Sequence, residues 1–101
     1  MSADDKILQQ AIDKIINKQN DYFIKQFEIL TAHQQRVLLA ICEENKNVFT
    51  TDFAEKFHLS PVSSTQRSLQ RLLKEGILTK SGEIYNFNDP FFRLWLKKML
   101  A

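Results

Sequence analysis

Ser63-Ser64-Thr65-Gln66-Arg67-Ser68-Leu69-Gln70-Arg71-Leu72-Leu73-Lys74-Glu75-Gly76-Ile77-Leu78-Thr79-Lys80-Ser81-Gly82-Glu83-Ile84-Tyr85-Asn86-Phe87 changes its hydrophobic period partway along. Up to Lys74 the spacing is helical, with Val62, Gln66, Leu69, Leu72 and Leu73 on one side. Gly76 then supplies the left-handed residue that closes a helix. Beyond it, Ile77-Leu78-Thr79-Lys80 and Ile84-Tyr85-Asn86-Phe87 are β-prone runs of four joined by Ser81-Gly82-Glu83, which reads as a tight hairpin. Two registers compete for the start of the helix. Ser60 can cap it with Pro61 in the first turn, or Ser63 can cap it with Gln66 three residues on; the second is preferred.

Upstream, Thr31-Ala32-His33-Gln34 forms a capping box, so a helix starts there and runs to about Asn45 with Val37, Leu38, Ile41 and Cys42 inward. Val48-Phe49-Thr50 is a short β-prone segment, and Thr51-Asp52 caps a brief helix with Phe53, Ala54 and Phe57 on one side. From Asp4 to about Leu30, apolar residues recur at Ile7, Leu8, Ala11, Ile12, Ile15, Ile16, Tyr22, Phe23, Phe27 and Leu30, a long one-faced helix with Ser2 as its expected cap. The polar run from Asn17 to Asp21 is where that helix bends or breaks.

Downstream, Asp89 is a good N-cap and Pro90 suits the first helical position. Phe91, Phe92, Leu94, Trp95, Leu96, Met99 and Leu100 then cover about 240° of the helix, far more than the roughly 100° stripe of a surface helix. Arg93, Lys97 and Lys98 are left to face water. Such a helix must be clasped from two or more sides.

Together these elements are mostly α with a small β-hairpin. Helix, short strand, helix, turn, helix and hairpin over 31–87 is the order of a winged helix-turn-helix. An N-terminal amphipathic helix (1–30) and an aromatic C-terminal helix (88–101) flank it, and the simplest way to cover both is to pack them together in one compact domain.

The chain has 101 residues, 44% of them hydrophobic, which suits one modest core. Its two glycines, Gly76 and Gly82, cannot write a phosphate-binding glycine loop. One cysteine, Cys42, excludes an internal disulfide and fits a reducing, cytoplasmic compartment. No signal peptide or membrane span is expected. The net charge of +2 is small, but residues 60–80 hold four bases against one acid. The positive excess therefore lies with Arg67, Arg71, Lys74 and Lys80.

The runs Leu30-Thr31-Ala32-His33-Gln34-Gln35-Arg36-Val37-Leu38-Leu39-Ala40-Ile41, Ser63-Ser64-Thr65-Gln66-Arg67-Ser68-Leu69-Gln70-Arg71-Leu72, Gly76-Ile77-Leu78 and Asp89-Pro90-Phe91-Phe92-Arg93-Leu94-Trp95-Leu96 resemble the C-terminal region of archaeal-type AAA+ ATPases, relatives of the STAND-class P-loop ATPases. The last run, placed after a wing, is the most specific. The resemblance spans roughly residues 1–100 and implies a non-catalytic winged-helix module for interdomain or protein contact, with DNA contact as an additional role. The ATPase core of a parent protein would be its partner. The chain itself has no Walker A motif, no acidic Walker B strand and no room for an α/β core, so ATPase activity would lie outside it. The alternative is a free-standing DNA-binding transcriptional regulator that dimerises through its first and last helices.

In a DNA reader the second helix of the helix-turn-helix enters the major groove, arginine pairs with guanine and lysine meets phosphate. The residues expected to do so are Ser63, Ser64, Arg67, Arg71, Lys74 and Lys80. The competing reading is a solvated helix face, favoured by the short, Glu83-bearing wing and the acidic N-terminal half. The candidates for a partner interface are Phe91, Phe92, Trp95, Leu96 and Met99, weighed against simple core packing. His33 and His58 are too isolated for a metal site. Ser60, Ser63, Ser64, Ser68 and Ser81 lack a nucleophile elbow, and Cys42 reads as an inert core thiol. No enzyme activity, cofactor, membrane contact or small-molecule substrate is expected.

Overall fold

The computed structural model describes residues 3–59 and 61–100. Ser2 and Ser60, expected as caps, and the side chain of Leu100 lie outside the described residues. The described elements are helices α1 (Ala3–Lys18), α2 (Asn20–Glu28), α3 (Ala32–Glu43), α4 (Thr51–Lys56) and α5 (Val62–Lys74), strands β1 (Leu78–Ser81) and β2 (Ile84–Phe87), and helix α6 (Pro90–Leu100).

The polar run between Asn17 and Asp21 breaks the first helix in two. Gln19 leaves the helical region at φ −99° and ψ 9°. The break turns Asn20 toward α6, where its side-chain oxygen accepts a hydrogen bond from Trp95 Nε1 at 2.7 Å. At the next junction the capping box is complete. Thr31 Oγ1 accepts from the Gln34 amide at 3.1 Å, and Gln34 Oε1 accepts from the Thr31 amide at 3.1 Å. Gln35 Nε2 also reaches back to the Phe27 carbonyl at 2.9 Å, a second donor to an oxygen that already accepts the Leu30 amide, and so ties α3 to the end of α2.

Helix α5 closes in a Schellman motif: the Ile77 amide donates to the Leu72 carbonyl and the Gly76 amide to that of Leu73, with Gly76 at φ 76°. The chain then enters the ribbon. Strands β1 and β2 pair antiparallel with Leu78 opposite Phe87 and Ser81 opposite Ile84. The turn is therefore Gly82-Glu83 alone, one residue shorter than expected, with Gly82 at φ 61° as a tight two-residue hairpin requires. The Asn88 amide donates to Ile77 at 3.0 Å and so prolongs the pairing to the base of the ribbon.

Three further expectations are corrected. Val48-Phe49-Thr50 does not form a strand, because its backbone is used in a turn. Asn47 is left-handed at φ 58°, and both the amide and the hydroxyl of Thr50 donate to its carbonyl. Thr50, one residue earlier than expected, also caps α4 by accepting from the Phe53 amide at 3.2 Å. Helix α5 begins at Val62, with Pro61 as a cap residue that makes no side-chain hydrogen bond, so Ser63 lies inside the helix rather than capping it.

The core is one cluster running from Ile16 and Phe23 through Val37, Leu38, Leu69 and Leu72 to Leu78, Phe87, Phe92 and Leu96. At one end, Phe92 stacks on Trp95 at 5.9 Å, lies 5.4 Å from Phe23 of α2 and meets Phe87 of β2 edge-on at 5.9 Å. Helix α6 is thus clasped between the N-terminal helices and the helix-turn-helix, as its apolar circumference demands. Within the described part of it, Met99 is the large apolar side chain left in water, 56% exposed.

Phe92→Ala should cost about 3–5 kcal/mol, whereas Met99→Ala should stay within about 0.5 kcal/mol, both read from urea denaturation midpoints. A Cβ on Gly76 would meet nothing within 4 Å. Gly76→Ala should therefore cost only the backbone strain of a left-handed residue, about 1–2 kcal/mol.

Candidate functional site

Helix α5 is held by buried polar residues as well as by its leucines. Thr65 is 1% exposed and its hydroxyl donates to the Leu59 carbonyl at 3.2 Å, which pins the helix to the turn after α4. His58 carries that turn in the left-handed region at φ 57°. Ser68 is 7% exposed and shares a 2.7 Å hydrogen bond with His33 Nδ1 of α3. The inward positions are thus Thr65, Ser68, Leu69 and Leu72. Gln66, expected inside, is exposed.

This rotation changes the outer face. Ser63, Gln66, Arg67, Gln70, Arg71 and Lys74 are exposed along it, while Ser64 is half-buried at its edge. Gln66 and Gln70 are additions, and glutamine can read an adenine edge in two hydrogen bonds. Their exposure was hidden because Thr65 and Ser68 took the inward places.

The charges on this face are partly engaged. Arg67 Nη2 donates to Ser64 Oγ at 3.3 Å, and Arg71 forms an ion pair with Glu75 at 3.0 Å. Lys80, on the wing, lies 5.5 Å from the centre of the Tyr85 ring. Phe49 packs edge-on against the same Tyr85 at 6.1 Å. With a two-residue turn, the wing projects little beyond its own strands.

The candidate partner interface separates into two groups. Phe92, Trp95 and Leu96 are 1%, 3% and 0% exposed, so the domain itself consumes their surface. Phe91 is half-buried and Met99 is exposed. Apolar surface lies elsewhere instead. Tyr22 and Ile29 are 60% and 81% exposed on the rim of an open groove of about 830 Å³. Leu30, Thr31 and Ile77 also line it, with Lys25, Arg71 and Glu75 supplying charge.

The His33–Ser68 pair has the spacing of a base and a nucleophile, but its surroundings are those of a tether. Ser68 faces the core, and His33 Nε2 is buried without a hydrogen-bond partner, so no carboxylate orients the ring. Among the described residues no group of three or more His, Cys, Asp or Glu side chains is placed to hold a metal ion. Among the same described residues no helix is long and apolar enough to cross a membrane. Burial pushes the Cys42 thiol up to about 11, against the smaller opposing pull of Arg93 and Lys97.

Three helices, a helix-turn-helix ending in α5 and a ribbon folded beside it define a winged helix-turn-helix protein. Residues 21–98 match the family described as a probable winged helix domain, and the chain belongs to that family. Neither the curated proteins nor the solved structures yielded a match. Winged helix domains are in general non-catalytic modules that contact DNA or other proteins.

A thiol held protonated in this way should react slowly. At pH 8 the native protein should be modified by a disulfide reagent on the order of 100-fold more slowly than the urea-unfolded chain; equal rates, followed by absorbance, would contradict the burial of Cys42.

Proposed function

We propose that this domain works by docking on protein, as the C-terminal winged helix of an archaeal-type AAA+, STAND-like P-loop ATPase, with the ATPase core as its partner. The observation that carries this reading is the groove rimmed by Tyr22 and Ile29. A side chain such as Ile29, 81% exposed beside further apolar lining, has the character of an interface anchor awaiting its pocket. The Asp89-Pro90-Phe91-Phe92 and Leu94-Trp95-Leu96 runs support the kinship with the ATPase tail. The short wing and the Arg71–Glu75 pair support protein over DNA, since each subtracts from what a phosphate backbone would feel.

The second reading, a DNA-binding regulator, is favoured by one feature. Gln66, Arg67, Gln70 and Lys74 share the open face of the helix that enters the major groove in this architecture.

The two readings separate in solution. When the chain is mixed with an archaeal-type AAA+ core encoded in the same genome, sedimentation should detect a complex that Ile29→Glu weakens at least about tenfold, as for an interface anchor. Fluorescence anisotropy with short duplex DNA should give weak binding that Arg67→Ala changes little. No complex with the core, combined with salt-steep DNA binding that loses about 1–3 kcal/mol in Arg67→Ala, would reverse the assignment.

A further inference from the structure

Helix α1 has a second face that the domain leaves unused. Its inner side buries Ile16, 3% exposed, and rests Ile12 against the core. Away from that side, Asp4, Ile7, Leu8, Ala11, Ile15 and Lys18 fall within about 100° of the helix, at about 100° per residue. All six are exposed, Ile7 by 64% and Leu8 by 60%. Every residue from 4 to 11 is exposed, and the molecule measures 46 Å along its greatest extent against 28 and 24 Å across. The first half of α1 therefore stands clear of the domain, and it also precedes the family match at 21–98.

The order of residues on this stripe identifies what fits it. An acid stands at one end, a base at the other, and a small residue in the middle, with isoleucines on both sides of it. Turned end for end about Ala11, the stripe complements itself. Asp4 then faces Lys18 of the second copy, Ile7 faces Ile15, Leu8 lies along the aliphatic stem of Lys14, and Ala11 meets Ala11. Leu8, Ala11, Ile15 and Lys18 also follow the alternating three- and four-residue spacing of a helix-pair seam. The small alanine on the axis lets the two backbones approach, and the helix dipoles oppose favourably. A parallel pairing would instead set Asp4 against Asp4 and Lys18 against Lys18.

From this order we infer that α1 is a self-association arm: two copies of the chain pair antiparallel through their α1 stripes. The inference stands apart from the docking role proposed above, which uses the groove at α2 and α5. A seam of this length falls short of the roughly 1,000 Å² that marks a stable interface, so the dimer dissociates on dilution.

Sedimentation velocity from about 5 to about 500 µM spans the range in which so small an interface forms and separates. The wild-type chain should pass from monomer to dimer. Ala11→Glu, which sets two like charges on the axis, should remain monomeric at every concentration, with its helix content by circular dichroism unchanged. Asp4→Lys and Lys18→Asp should each weaken the dimer at least about tenfold. Mixed in equal amounts, those two variants should form a heterodimer in preference to either homodimer, read by native mass spectrometry, because both charge pairs are then restored. A wild-type chain that stays monomeric at the highest concentration would overturn the inference. So would an Ala11→Glu variant that dimerises like wild type, or a mixture of the charge variants without heterodimer enrichment.

Discussion

The Phe92 ring is where the separate parts of this domain become one. It is 1% exposed, stacked on Trp95 of its own helix, and in ring contact with Phe23 of α2 and Phe87 of β2. Each such aromatic pair adds about 0.5–1.5 kcal/mol beyond the area it removes from water. Trp95 completes the junction by donating its indole N–H to Asn20 at 2.7 Å, so the cluster closes without an unsatisfied donor at that point. A three-helix, two-strand module of this size buries little by itself. The aromatic cluster extends its core across the base of the ribbon and gives α2 something to pack on.

Functional geometry follows from the same arrangement. Because α6 spends Phe92, Trp95 and Leu96 on internal contacts, exposed apolar surface lies instead at Tyr22 of α2, at Ile29 just beyond its end, and on the outer stripe of α1. The basic helix α5, meanwhile, is anchored through Thr65 and Ser68, presents a face of arginine, lysine and glutamine, and has part of its charge answered by Glu75. A ribbon with a two-residue turn adds little reach to that face.

Local chemistry made much of the fold readable from sequence. The Thr31–Gln34 box, the left-handed Gly76, and Asp89 before Pro90 each fix a boundary through atoms a few residues apart, and all three act as their residue types imply. What could not be read depended on hydrogen-bond partners that residue type and period do not announce. Thr65 and Ser68 look solvent-facing until Leu59 and His33, the latter 35 positions away, supply their hydrogen bonds. Their burial turned the helix enough to bring Gln66 outside and to add Gln70 to the candidate face. Val48-Phe49-Thr50 has strand-forming residues, yet the left-handed Asn47 and the Thr50 cap take its backbone before any ladder forms. Burial of α6 on two sides was foreseeable from its apolar arc, and packing the flanking helices together was the simplest way to supply it; that the Phe92 ring would meet Phe23 and Phe87 was not.

Native-state hydrogen exchange tests the central claim directly, because it reports whether α2 and α6 open with the rest of the core or apart from it. If the Phe92 cluster joins the flanking helices to the winged helix, the slowest amides of α2, α3, α5 and α6 should share one opening free energy, equal to that of global unfolding. Exchange of α2 and α6 through a separate, lower-energy opening, while α3, α5 and the ribbon keep full protection, would contradict it.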